Sequence, residues 1–206
     1  MSIWISDTQR RVRVAACLAA TVFVSACIGE TGPGALGLLS PKEDATEAQR
    51  ELTLYRDRVV VRAPDGYCVD TVHVTRRPVA TVVPLATCSS LTGQGYAPVE
   101  PALMTVSVLP RRADAQQPSA ADLAATFEPA EVTDIEDGDG VALVRVASGG
   151  QSRLPEGDPS YWRGAMEING HLVGLALYGR RGSDLSGQAG RRLILDLAEA
   201  LRDASM

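Results

Sequence analysis

A chain of 206 residues with a formal net charge of −5 and 45% apolar residues can fill the core of one domain. Its acidic balance argues against nucleic acid as a partner. The first 26 positions hold three arginines and one acidic residue, so the remainder carries 17 basic and 24 acidic side chains, a net of −7.

Arg10, Arg11 and Arg13 form a basic flank, and VAACLAATVFVSA follows from Val14 to Ala26 without a charge. This is the shape of an export signal. This uncharged stretch of 13 residues falls short of the roughly 20 that a membrane-crossing helix needs. Val24-Ser25-Ala26-Cys27 resembles the lipobox of bacterial lipoproteins, an aliphatic residue and two small ones before a cysteine. The resemblance implies cleavage before Cys27, acylation of that cysteine, and a lipid-anchored protein facing the periplasm. Several acyl chains, at about 0.8 kcal/mol per buried CH₂, anchor a protein stably without a span. Ile28 stands where lipoproteins carry an inner-membrane retention aspartate, which favours the outer membrane. The alternative is an ordinary secretory signal, which would leave Cys27 as an odd thiol.

The expected organisation is a signal peptide over 1–26, lipidated Cys27 with a Gly/Pro-rich tether through 45, and one globular domain over 46–206. A short helix is expected over 47–55, then a β-branched strand from Val59, closed by the turn Asp65-Gly66. In YCVDTVHVTRRPVATVVPLATC, residues 67–88, Pro78 marks the midpoint of a hairpin. The register that pairs Val74 with Val82 also pairs Cys68 with Cys88. With Cys27 acylated these two remain, and an exported pair forms a disulfide, worth about 3 kcal/mol in the chain-entropy model. A metal site would need two further ligands, and His73 and His171 are far apart in sequence. Pro84 in the second strand predicts an edge or a bulge there.

In ALMTVSVLP, the alternation predicts that Met104, Val106 and Val108 are buried. Ser119 is placed to cap a helix over 120–127. Two strands flank Asp137-Gly138-Asp139-Gly140, and a second hairpin turns at Asn169-Gly170, the strongest short turn signal in the chain. Leu193, Leu197 and Leu201, widened by Ile194 and Ala198, stripe a helix over 188–202. Strands closed by a helix predict an α+β fold, a mainly antiparallel sheet with a C-terminal amphipathic helix packed on it. The order of elements over 58–203 is similar to the PsbP-like fold of exported accessory proteins, and the chain as a whole is similar to envelope lipoproteins of high-GC Gram-negative bacteria. Neither resemblance implies an activity.

Lysine occurs only at Lys42, so the domain has no P-loop lysine, Schiff-base lysine or Ser-Lys dyad. His-Glu-x-x-His and Gly-x-Ser-x-Gly are absent, and no catalytic residue or cofactor is expected. His73 reads as a polar strand residue and His171 as a half-exposed one after its turn. The acidic run 134–140 mimics a calcium loop, but the twelfth position from Asp137 is Ser148, not glutamate. Gly179 to Gly187 is the best ligand candidate: Arg180, Arg181 and Ser183 precede a helix N-terminus and could meet an anion. The plainer reading of the same residues, and the preferred one, is a glycine-bent connection whose arginines face water and whose Ser183 or Ser186 caps the helix. Two functions follow: a non-enzymatic envelope module that binds an envelope protein partner or assists assembly, or a binding protein or small enzyme for an anionic ligand at the arginine loop.

Overall fold

The structure, a computed structural model, describes residues 48–56, 58–93 and 95–206. The expected signal peptide, Cys27 and the tether lie outside the described residues.

The chain first forms a hairpin, β1 (Glu51–Leu54) and β2 (Val59–Arg62). The helix expected over 47–55 is not what forms. Leu52 and Leu54 recur at a spacing of two, which suits a strand, and Arg62 Nε donates to Glu51 Oε1 across the pair at 2.7 Å. Local helix propensity yields here to a partner strand whose Val59 and Val61 are fully buried.

Eight further strands follow: β3 (Tyr67–Val69), β4 (Thr75–Arg77), β5 (Ala80–Thr87), β6 (Ala102–Val108), β7 (Val132–Gly138), β8 (Val141–Val146), β9 (Tyr161–Ile168) and β10 (His171–Gly179). They build one antiparallel sheet in the order β3-β5-β6-β10-β9-β8-β7, with β4 beside β5 on the same edge as β3. Helices α1 (Cys88–Thr92), α2 (Ala120–Ala125) and α3 (Gln188–Ala204), with 3₁₀ turns at Gly150–Ser152 and Asp184–Ser186, complete the described elements. The fold is thus α+β, and α3 packs its Ile194, Leu197, Ala198 and Leu201 onto one face of the sheet.

That face is supplied by alternation. Met104, Val106 and Val108 of β6 point into the core, as their spacing predicts, and Leu175 and Leu177 of β10 lie beside them in register. Trp162 of β9 is buried there too, and its indole N–H donates to the Gly187 carbonyl at 3.1 Å, fixing where α3 begins. A smaller core lies on the opposite face, where α2 and Phe127 cover Ala142, Val144 and Val146. Ser119 caps α2, as expected, by accepting from the Asp122 N–H at 3.1 Å.

Two hairpin turns put a non-glycine residue at positive φ directly before a glycine: Asp139 at 50° before Gly140 at 70°, and Asn169 at 51° before Gly170 at 84°. These angles belong to the type I′ hairpin turn. Asn169 adds a long-range tie, its Nδ2 donating to the carbonyls of Arg58 at 2.8 Å and Ser205 at 2.9 Å.

Between β3 and β4 the outcome departs from the sequence reading. The strand expected over 67–77 breaks at residues 70–74. Asp70 causes the break: its Oδ1 accepts from the His73 N–H at 3.2 Å, and its Oδ2 meets His73 Nδ1 at 2.7 Å, a side chain standing in for a backbone turn. The register changes across this break, pairing Cys68 with Ala86 before it and Thr75 with Val82 after it. Pro84 therefore sits in an inner strand with neither an edge nor a bulge. Its carbonyl accepts from the Asp70 N–H at 2.9 Å, so its missing donor faces the same side, where the neighbouring strand is interrupted.

Candidate functional site

The disulfide between Cys68 and Cys88 is present, though not as a rung between facing strand residues. Cys88 lies beyond β5, at the first position of α1, whose N-cap Thr87 accepts from the Ser90 N–H at 3.4 Å. The bond thus ties the edge strand β3 to a helix.

Beside it opens a cleft of about 740 Å³, lined by Gln49, Glu51, Asp70, Val72 and Leu91 among others. The incoming chain forms one wall, since the Val69 N–H donates to the Gln49 carbonyl at 2.7 Å. Charged groups at the cleft are already held by neighbours: Arg50 by Asp65 at 2.6 Å, Glu51 by Arg62 at 2.7 Å, and Asp70 by His73. Engaged this way, they shape a surface more readily than they move protons.

The edge that continues from this cleft is β4. Every residue of it is exposed, and Arg76 and Arg77 make no ion pair among the described residues. Val72 and Val79 bracket the strand at 84% and 73% exposure. Strand alternation alone does not single out these four residues. A signal was there, because no Asp or Glu occurs from Thr71 to Val99 in an otherwise acidic chain.

The arginine loop is placed plainly. Arg180 and Arg181 are exposed and likewise without an ion pair among the described residues. Their backbone is pinned, Arg180 bridging to Gly157 and the Arg181 N–H donating to the Glu156 carbonyl at 3.1 Å. Ser183 Oγ accepts from the Leu185 N–H at 3.2 Å and so caps the 3₁₀ turn at Asp184–Ser186, not α3 itself. The Leu185 carbonyl lies against Gly190 in the first turn of α3. The three residues share one bend, but the hydroxyl is spent on the turn and the start of the helix is crowded by its own chain.

His171 is the clearest correction among single residues. It is buried, 2% exposed, with Nδ1 2.7 Å from the Leu109 carbonyl and its ring 4.5 Å from that of Tyr55. The β1–β2 hairpin covers a position that strand order alone leaves open. His73 is exposed, in the turn and not in a strand.

The acidic hairpin is structural where its partners are visible. Glu136 pairs bidentately with Arg191, Asp134 lies 3.7 Å from Arg145, and Asp137 Oδ1 accepts from the Ala120 N–H at 2.7 Å. The Arg191 hydrogen bond holds the Glu136 carboxyl below its usual range, against the opposing pull of burial. Among the described residues no cluster of three or more His, Cys, Asp or Glu could hold a metal ion. No helix there is long and apolar enough to cross a membrane.

No family model matches the chain, and no curated protein matches it by sequence. The solution structure of cyanobacterial PsbP from Synechocystis is similar at 14% identity and a TM-score of 0.42, over 81% of this chain and 98% of that one. At that score and identity the likeness transfers neither activity nor site residues.

Proposed function

We propose that this protein is a lipid-anchored, periplasm-facing envelope lipoprotein, held at the outer membrane through Cys27, that acts as a non-enzymatic interaction or assembly module. The observation that carries the reading is the Cys68–Cys88 bond, because such bonds persist in oxidising compartments. It joins the resemblance of Val24-Ser25-Ala26-Cys27 to a lipobox. The surfaces on offer, a cleft whose charges are already paired and a bare edge strand, suit docking.

Intact-mass measurement of the membrane-extracted protein tests the anchor: the chain should begin at Cys27 and carry acyl chains, and Cys27→Ser should remove them. In-cell cross-linking of the anchored protein then reads the module, with a specific envelope protein as the expected result. An unacylated mature chain would refute the anchor. A second reading, an anionic ligand at Arg180, Arg181 and Ser183, is favoured by the two unpaired guanidinium groups. It predicts that Arg180→Ala/Arg181→Ala abolishes binding of inorganic phosphate or a small carboxylate.

A further inference from the structure

We infer that the β3–β4 edge is the face by which the domain lies against an anionic lipid surface, an assignment that rests on the lipid-anchored reading above. Three independent observations converge on this edge.

The first is where the chain arrives. Ala48 and Gln49 line the same cleft as Asp70, Thr71 and Val72, and Gln49 is bonded to β3 itself. The described chain therefore begins at this edge, which is where a segment leading back to Cys27 would leave the domain.

The second is charge. The chain beyond residue 26 carries −7, and an acidic body is repelled by an anionic bilayer within a Debye length. Arg76 and Arg77 offset that charge at this edge. They stand in a stretch, 71–99, without a carboxylate, and no neighbour neutralises either one among the described residues. As consecutive residues of an edge strand they project to opposite faces of the sheet. A plane brought up to that edge meets both.

The third is the pair of exposed valines. Val72 and Val79 lie in the turns on either side of β4 and, Met206 aside, are the most exposed large apolar side chains among the described residues. An aliphatic side chain left in water beside a cation has the composition of an interfacial contact, the apolar group entering the acyl boundary and the cation meeting the headgroups. An acidic protein segment would satisfy the arginines but gives no account of the valines or of the tether's attachment.

The test uses the full acylated protein in vesicles. With Cys27 acylated and Cys68 bonded to Cys88, Val72→Cys adds the one reactive thiol, which takes a nitroxide label; Ile135→Cys on β7, at the far edge of the sheet, is the control. On phosphatidylglycerol-containing vesicles the Val72 label should be shielded from an aqueous relaxation agent. On phosphatidylcholine alone it should be less so, and the Ile135 label should stay accessible on both. Arg76→Ala/Arg77→Ala should shift the docked-to-free equilibrium roughly 30-fold, about fivefold per arginine. A Val72 label equally accessible on both lipids would overturn the proposal. Shielding confined to envelope membranes that retain their proteins would overturn it too, and assign the edge to an acidic protein partner. Intact mass reports acylation separately. If Cys27 is unacylated and so a second reactive thiol, the same variants are made on a Cys27→Ser background, labelled and added to vesicles from solution, and the Val72 readout still decides.

Discussion

Opening the Cys68–Cys88 bond should lower the thermal midpoint by about 10 °C. The bond closes a loop with a sequence separation of 20. In the chain-entropy model a loop of that length removes about 11 cal/mol/K from the unfolded ensemble, roughly 3 kcal/mol at 25 °C. The unfolding entropy of about 160 ordered residues, near 2.1 cal/mol/K each, turns this into a shift of roughly 10 °C. Both cysteines are buried, Cys68 completely, so separating two thiols adds a packing cost and should not reduce the loss. Calorimetry of the native protein with and without a reductant reads the covalent term without changing a side chain. Cys68→Ala/Cys88→Ala then reads it together with the packing. A reduced protein melting within about 3 °C of the oxidised one would show that loop closure is not what the bond contributes. Two free thiols in the intact mass of native protein would remove the premise.

Gly190→Ala should destabilise the fold although alanine favours helices by about 1 kcal/mol. A Cβ there would come within 1.8 Å of the Leu185 carbonyl oxygen and 2.9 Å of Trp162 Cδ1. The net loss should exceed about 2 kcal/mol, and a denaturant midpoint at or above the parent's would refute it. Asn169→Ala removes hydrogen bonds to Arg58 and Ser205 and puts alanine at a φ of 51°. It should cost about 2–3 kcal/mol, with Asn169→Gly recovering only the backbone share; equal losses in the two variants would exclude the strain component. Glu136→Gln should matter above the usual carboxylate value of 4.5 and not in acid. Because the folded carboxyl is held lower than the unfolded one, its stabilisation is full at neutral pH and disappears as pH falls through the folded value. The exposed pair limits the effect to less than about 1 kcal/mol. Urea titrations of both proteins from neutral pH to pH 3 would show the difference closing, and a difference that grows in acid would reverse the assignment.

Most of the fold was legible because its signals are local. Asn169-Gly170 and Asp139-Gly140 specify their hairpins with two residues each, and the alternation in β6 and the leucine stripe of α3 each declare a buried face. What escaped is non-local. The β1 segment is a strand because β2 pairs with it, and His171 is buried because Tyr55, far away in sequence, folds over it. The disulfide was legible as a pair of cysteines. Its geometry was not, since one aspartate, Asp70, breaks the strand and displaces the register on either side. The arginine loop stood out by composition, yet composition does not say that Ser183 turns inward to cap Leu185. The carboxylate-free stretch 71–99 marks the β4 region, but that its outer side is bare shows only in the topology, where no described strand pairs with it.

Ser205 has a consequence for the order in which the molecule can be finished. Its hydroxyl accepts from the Val60 N–H at 2.9 Å, a contact spanning 145 residues, and the helix that covers β2 is likewise the last one described. Once Val60 has been made, a ribosome working at 5–20 residues per second needs on the order of ten seconds to reach its partner. Throughout that interval the first hairpin is without its cover, and the valines of β2 remain wet. A chain arranged in this way stays loose while it is being made, and its first strands wait for the last described helix before their core can close.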